Sequence, residues 1–172
     1  NAGHGRPEIR EALKRVVDQG LIASYVFVHE QRAELCAMLR AISPDPQAYR
    51  VFLLSTGSEA TENAIKLART YAWEKYGPGR KTVVSFENAF HGRTMGAQLA
   101  GGMDGQKKWL GGSHPDFIQV PFPDGYKNEN VRFDLFLESL AGQGVGADEI
   151  FAVLTESFQG VGPDFLPVEY AR

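Results

Sequence analysis

The residues best suited to chemistry form a short polar run, residues 55–59, where Ser55, Thr56, Gly57 and Ser58 separate an apolar run from a long helical pattern. The first backbone N–H groups of a helix have no partner inside it, and the helix dipole places partial positive charge there. Gly57 lets the backbone approach an anion closely, and the three hydroxyl groups can add donors. This junction is therefore suited to holding a phosphate group.

The same residues also have a purely structural interpretation. Thr56 as N-cap, with Glu59 three positions later, forms a capping box, which stabilises a helix without any ligand. Two kinds of phosphate site are excluded, because the run lacks the GK[ST] ending of a nucleotide P-loop and the three-glycine pattern of a dinucleotide-binding turn. A sugar-phosphate or nucleotide site of another kind stays open.

Further polar residues lie where apolar strands are expected to end. Residues 87–94 follow one such strand, and Glu156 follows another. A carboxylate in that position is costly unless it faces a polar cleft or has a partner. His91 is better explained as a packing or hydrogen-bonding group than as a catalytic base. Arg93 is either a carboxylate-binding group or an ordinary loop charge.

Hydrophobic periodicity predicts the elements that position these residues. Helical spacing predicts helices over residues 7–20, 30–42, 133–140 and from the polar run to about 76, and apolar runs predict strands over 51–54, 82–86, 117–120 and 150–155. Residues 22–28 could be extended, and residues 167–172 resemble the opening turn of a helix. Strands alternating with helices predict an α/β fold, with part of a mostly parallel sheet flanked by helices, and ligands at the carboxyl ends of its strands.

Composition limits the class of protein. The 172 residues are 43% apolar and 23% charged, with a net charge of −3 and a pI near 5.8, so nothing indicates binding to nucleic acid or to a membrane. A single cysteine, Cys36, excludes an internal disulfide, and we expect no metal ion. No apolar run reaches membrane-spanning length, and the expected location is cytoplasmic.

The sequence STGSEATENAIKLAR at 55–69 resembles the Ser-Gly-Ser/Thr-Glu-Ala…Ala-x-Lys-Leu-Ala-Arg motif of class-III aminotransferases, which are fold-type-I enzymes dependent on pyridoxal phosphate (PLP). Three further segments resemble family motifs in the same order: GHGRP at 3–7, FENAFHGRT at 86–94, and ESFQG at 156–160 with Gly162 and Pro163 beyond. The resemblance spans nearly the whole chain.

The resemblance implies PLP as cofactor and assigns residues to it. Gly57 and Ser58 would bind the phosphate through their backbone N–H groups and the Ser58 hydroxyl. Phe90 would stack on the pyridine ring, where an aromatic face suits a flat cofactor; the alternative is a core phenylalanine at a strand end. His91 would lie beside Phe90 on the cofactor side, and Gln159 near the cofactor ring.

The resemblance also assigns residues to the substrate. Arg93 would bind a substrate carboxylate, and Glu156 would lie in the active site near the substrate. The sequence departs from the family here, since Ser157 replaces the usual proline and Val161 stands where an acidic residue is common. These departures concern the substrate subclass more than the family.

The resemblance implies amino transfer from an amino acid or an ω-amino donor to a 2-oxo acid, by a homodimer. Alternatives are a racemase, epimerase or decarboxylase of the same family, or a non-catalytic phosphate-binding remnant of the fold. In the family the Schiff-base lysine and the carboxylate that contacts the pyridine nitrogen follow the last motif. We therefore expect both to lie beyond Arg172, and the lysines present to be solvated charges.

The chain is accordingly expected to be a fragment of the large domain that is inactive alone. Residues 1–50 would form an N-terminal helical segment, and residues 51–172 a partial PLP-binding large domain. The remainder of that domain and the family's small domain would be absent.

Overall fold

The computed structural model describes residues 3–162 and 164–172. Asn1, Ala2 and Pro163 lie outside the described residues, and Pro163 is the proline named beyond the last motif. The chain divides into two compact units, residues 1–53 and 54–172. The expected domain limits of 1–50 and 51–172 stay a prediction.

The first unit contains two helices, α1 (Pro7–Gln19) and α2 (Glu30–Ala41). Proline at the start of α1 costs no hydrogen bond, because a backbone N–H at the first helical position would have no partner within the helix. Gly20 ends α1 in a left-handed conformation (φ 73°), and its N–H donates to the Val17 carbonyl at 3.0 Å. Both predicted helices are confirmed to within one residue.

Two expectations about this part of the chain are wrong. Residues 51–54 form no strand, and Phe52 is 69% exposed. An apolar run becomes a strand only when a neighbouring strand pairs with its N–H and C=O groups, and within the described residues this run has none. Residues 22–28, which could have been extended, form no strand, and residues 25–27 turn, with Tyr25 at φ 48°.

The second unit contains the following α-helices and strands: α3 (Gly57–Tyr76), β1 (Thr82–Phe86), α4 (Met95–Ala100), β2 (Phe117–Val120), α5 (Phe133–Gly142), β3 (Ile150–Val153), β4 (Phe158–Gln159), β5 (Asp164–Phe165) and α6 (Val168–Ala171). Three 3-10 helices lie between them, at Asp104–Gln106, Lys108–Leu110 and Ala147–Glu149. Strand β1 lies at the centre of a parallel sheet of order β2-β1-β3 and is buried along its whole length. Strands β4 and β5 pair antiparallel in a separate hairpin.

The core of this unit packs against one face of the parallel sheet. It contains the following buried residues: Val84, Phe86, Ala89, Val120, Phe122, Phe136, Leu140 and Tyr170. Phe86 contacts Phe122 edge to face, with 5.6 Å between ring centroids. Since Phe86 is the last residue of β1, this aromatic cluster fixes the point where the chain leaves the sheet.

The predicted α/β sheet is confirmed, and three details differ from expectation. Strand β3 ends two residues early, at Val153, while α4 and the β4–β5 hairpin were not predicted. Lys107, expected to be solvated, is 2% exposed; its Nζ donates to Gln119 Oε1 at 2.8 Å and lies 3.2 Å from Asp104 Oδ1. In the described segments, no helix combines the length and the apolar character needed to cross a membrane.

Candidate functional site

The first turn of α3 leaves two backbone N–H groups available. Thr56, the N-cap, accepts the N–H of Glu59 on its Oγ1 at 3.2 Å. The Glu59 carboxylate in return accepts the N–H groups of Thr56 at 3.1 Å and of Ser55 at 2.9 Å, which confirms the capping box. Within residues 3–162 and 164–172, no hydrogen bond uses the N–H of Gly57 or Ser58. The capping box therefore coexists with two free donors at the positive end of the helix.

The loop after β1 lies directly on the first turns of α3. The Ser58 hydroxyl accepts the N–H of Arg93 at 3.2 Å, and the Thr61 hydroxyl donates to the His91 carbonyl at 2.9 Å. Gly92 lies between them with φ 134°, and a Cβ added there would lie 2.4 Å from Ser58 Oγ and 2.9 Å from Ser58 Cα. Only glycine fits this approach, because both the φ angle and the space exclude a side chain.

Glu62 secures the far end of the same loop. Its Oε1 accepts the Thr94 hydroxyl at 2.6 Å and the N–H groups of Gly96 at 2.7 Å and Ala97 at 3.0 Å, at the start of α4. Sequence reasoning missed this residue. A signal did exist, because Ser58, Thr61 and Glu62 are spaced i, i+3 and i+4 and must share one face of α3.

A cavity of about 450 Å³ opens between the α3 N-terminus and this loop. Its lining residues are Thr56, Gly57, Ser58, Thr61, Phe90, His91 and Gly92. Phe90 is 43% exposed, so its ring is accessible, and the Arg93 guanidinium lies 6.0 Å from the ring centroid. A Cβ added to Gly57 would meet no atom within 4 Å, so this backbone borders open space. Free amide donors and an aromatic ring facing one cavity fit a phosphorylated, planar cofactor.

Three predicted site residues lie outside the lining of this cavity. Glu156 accepts the N–H of Phe90 on Oε2 at 3.1 Å and the N–H of Gly160 on Oε1 at 3.4 Å. Gln159 is 3% exposed, and its Nε2 donates to the Glu87 carbonyl at 2.8 Å. Both side chains hold backbone segments at the carboxyl ends of β1 and β3. Arg93 is exposed, with its N–H on the Ser58 hydroxyl.

The electrostatics around His91 favour its neutral form. Burial lowers the pKa of its imidazole, and the negative charge of Glu156 only partly opposes that shift. The His91 Nε2 is buried and has no hydrogen-bond partner among the described residues. An uncharged imidazole at neutral pH is consistent with a packing role.

A larger cavity, of about 780 Å³, lies elsewhere in this unit, bordered by residues 102–105, residues 113–115 and part of β2. It shares no lining residue with the cavity at α3. Size alone does not identify a functional site. Among the described residues, this larger space borders no α-helix N-terminus, only the start of a three-residue 3-10 helix, Asp104–Gln106. The smaller cavity is therefore the better candidate, because two amide donors without a partner among the described residues and an exposed aromatic ring border it.

Comparison with known proteins identifies the family. The family described as aminotransferase class-III matches residues 1–170. The acetylornithine aminotransferase of Caldanaerobacter subterraneus subsp. tengcongensis is 34% identical over 160 residues, which cover 93% of this chain and 36% of that relative.

Two solved structures show the same fold. An (S)-enantioselective ω-transaminase from Thermomicrobium roseum is 30% identical with a TM-score of 0.84, and the chain covers 40% of it. The taurine:2-oxoglutarate aminotransferase of Bifidobacterium kashiwanohense, solved with PLP and glutamate, is 31% identical with a TM-score of 0.82, again with 40% covered. In both cases 99% of this chain is matched. The chain therefore belongs to the class-III aminotransferase family, and it spans less than half the length of the relatives that it matches.

Proposed function

We propose that this chain supplies the phosphate-binding part of a PLP-dependent aminotransferase, which moves an amino group from an amino acid or an ω-amino donor to a 2-oxo acid. One observation carries the proposal: the free N–H groups of Gly57 and Ser58 and the accessible ring of Phe90 border the same cavity. The names of the relatives, which include acetylornithine aminotransferase and taurine:2-oxoglutarate aminotransferase, support the reaction class.

The residues at α3 would hold the phosphate end of the cofactor. The N–H groups of Gly57 and Ser58 donate to its oxygens at a helix N-terminus, where the dipole favours an anion. The Ser58 hydroxyl accepts the N–H of Arg93 and so keeps its own hydrogen free to donate to the phosphate. PLP, when bound, supplies a ring that withdraws electrons from the amino donor.

The loop residues would orient the ring and the substrate. Phe90 covers one face of the pyridine and restrains it at small entropic cost. Neutral His91 packs beside Phe90 without adding charge. Gln159 donates to the Glu87 carbonyl and so holds the backbone three residues before Phe90. Arg93 binds a substrate carboxylate, while Glu156 lies at the edge of the substrate space.

Catalysis itself is proposed only for the whole protein. The chain covers 36% of the acetylornithine aminotransferase that it matches, and the Schiff-base lysine is expected outside these residues. We propose that the 172-residue chain alone does not transfer amino groups. Recording its visible spectrum with PLP tests this, since a band that borohydride abolishes with covalent attachment at one specific lysine would contradict it.

Cofactor binding is tested with deoxypyridoxine phosphate, a PLP analogue that lacks the aldehyde and cannot react with lysines. The wild-type chain is expected to bind this analogue. Gly57→Ala is expected to bind it about tenfold more weakly, which corresponds to a loss of about 1.4 kcal/mol in binding free energy. The reason is that the new methyl group occupies the open space at the phosphate-binding backbone.

Gly142→Ala is the matched control, because Gly142 is also a helical glycine whose added Cβ would meet nothing within 4 Å. Binding is followed by isothermal titration calorimetry, with deoxypyridoxine as the ligand that lacks a phosphate. Equal affinity for deoxypyridoxine and its phosphate, or an equal effect of both alanine substitutions, would contradict the proposal.

We further propose that the whole protein is a cytoplasmic homodimer. The first unit supports association, since apolar side chains on both helices, including Leu13, Val17 and Met38, are largely exposed. The single cysteine Cys36 supports a location that does not depend on disulfide bonds. Sedimentation velocity and cell fractionation of the whole protein test the two statements separately.

A further inference from the structure

Helix α4 lacks a local N-terminal cap. Thr94 is its N-cap residue, yet the Thr94 side chain makes no hydrogen bond to the helix backbone. The third helical residue is Ala97, so no capping box is possible. The orphan N–H groups of Gly96 and Ala97 are instead accepted by the carboxylate of Glu62, which also accepts the Thr94 hydroxyl. One carboxylate oxygen thus replaces a cap that the local sequence does not supply.

The same carboxylate is the only charged group of α3 that holds the loop within the described residues. The other two attachments, from Ser58 to Arg93 and from Thr61 to His91, are neutral hydrogen bonds. Hydrogen bonds to a carboxylate are roughly twice as strong as neutral ones. The Glu62 carboxylate also packs closely against the Gly96 backbone, because a Cβ added to Gly96 would lie 2.5 Å from Glu62 Oε2.

The loop that Glu62 holds contains the aromatic wall of the cofactor cavity. Phe90 lies in this loop, and its N–H donates to the Glu156 carboxylate. The phosphate-binding amides of Gly57 and Ser58 belong to α3 itself. The distance between the amides and the Phe90 ring is therefore set by how the loop is attached to α3.

We propose that Glu62 is a positioning residue that keeps the Phe90 ring at the separation from the Gly57 and Ser58 amides that a phosphorylated pyridine requires. This inference rests on the proposed cofactor function. It assigns no contact between Glu62 and the cofactor. Loss of the Glu62 carboxylate would leave the phosphate-binding amides in place and shift the Phe90 ring that stacks on the pyridine.

Two ligands separate these effects: inorganic phosphate, which needs only the amides, and deoxypyridoxine phosphate, which needs the amides and the ring. In the full chain, Glu62→Ala is expected to weaken binding of deoxypyridoxine phosphate about tenfold and to leave binding of inorganic phosphate within about twofold. Glu62→Gln keeps an acceptor oxygen and should recover most of the loss. Glu74→Ala, an exposed glutamate on the same helix, is the control.

Amide hydrogen exchange provides a second measurement that needs no ligand. In Glu62→Ala, exchange is expected to accelerate at residues 92–97 while residues 63–76 of α3 keep wild-type rates. Unchanged exchange at 92–97 overturns the inference whatever the ligands do. Equal loss of both ligands also overturns it, because that result indicates general unfolding of the site.

The two proposals fail in different ways. If the wild-type chain binds neither ligand, the cofactor function fails, and the exchange result alone decides whether Glu62 holds the loop. If the wild-type chain binds both and Glu62→Ala binds deoxypyridoxine phosphate with wild-type affinity, the cofactor function stands and the role of Glu62 is refuted.

Discussion

Gly92 offers the sharpest test of how the loop lies on α3. Replacing it with alanine places a methyl group 2.4 Å from Ser58 Oγ and 2.9 Å from Ser58 Cα, at a φ angle of 134°. Left-handed backbone costs a residue with a Cβ about 1–2 kcal/mol. An extra methyl group in a closed space costs about 1–3 kcal/mol more. We therefore expect Gly92→Ala to lower the free energy of unfolding by about 2–5 kcal/mol, a large share of the roughly 5–15 kcal/mol of a typical domain.

Gly112 separates the two contributions. It also has a left-handed backbone, with φ 112°, but a Cβ added there would meet no atom within 4 Å. Gly112→Ala should therefore show only the backbone cost of about 1–2 kcal/mol. Thermal unfolding followed by circular dichroism measures both, and Gly92→Ala is expected to lower the melting temperature by about 5–15 °C.

A second substitution shows whether the cost arises at α3. In the Gly92→Ala background, Ser58→Gly removes the Oγ and Cβ atoms that the new methyl group meets. The backbone of residue 58 still crowds that methyl group, so stability should return only in part. The double-mutant cycle should give a favourable coupling between the two positions. Equal losses for Gly92→Ala and Gly112→Ala, with no coupling to position 58, would refute the packing of the loop on α3.

Three further predictions concern buried polar groups. Because burial lowers the pKa of His91 below its ordinary 6.5, the folded protein takes up a proton less readily than the unfolded chain. Stability should therefore fall as the pH drops below about 6.5, and urea unfolding of His91→Asn should show a smaller fall. Lys107→Ala leaves Gln119 Oε1 without its donor and should lower the free energy of unfolding, measured in urea, by about 1–3 kcal/mol. The control is Lys108→Ala at an exposed position, which should lower it by about 0.5 kcal/mol or less. Tyr170 has a buried hydroxyl with no partner among the described residues, and burial raises its pKa to about 12. Tyr170→Phe should therefore be at least as stable as the wild type by calorimetry. A loss of more than about 1 kcal/mol in the free energy of unfolding would show that the hydroxyl is hydrogen-bonded.

Local chemistry made part of this fold predictable. Strand β1 was predicted to the residue, because a β-branched, apolar run bounded by loop residues has few alternatives when helices flank it. The start of α3 followed from its capping box, whose donors and acceptors all lie within five residues. The phosphate-binding interpretation combined these residues with the family motifs around them, and it stays a prediction.

Other features depended on partners far away in the sequence. Helix α4 has only six residues, and its cap is Glu62, more than thirty positions earlier. The spacing of Ser58, Thr61 and Glu62 places them on one face of α3, but it does not reveal that this face caps another helix. Lys107 was misjudged because the partner that justifies its burial, Gln119, lies on another element. Residues 51–54 had the composition of a strand, but pairing decides whether a strand forms, and composition does not encode it.

The bonds of Glu156 have a consequence for engineering this scaffold. Its carboxylate is the acceptor for the Phe90 N–H and for the Gly160 N–H, so a single side chain ties together the segments that follow two adjacent strands. A substitution at position 156 would therefore remove the acceptor of both N–H groups. Libraries at position 156 should vary position 90 as well, because changing Glu156 alone would also release the backbone of the residue that we propose to stack on the cofactor.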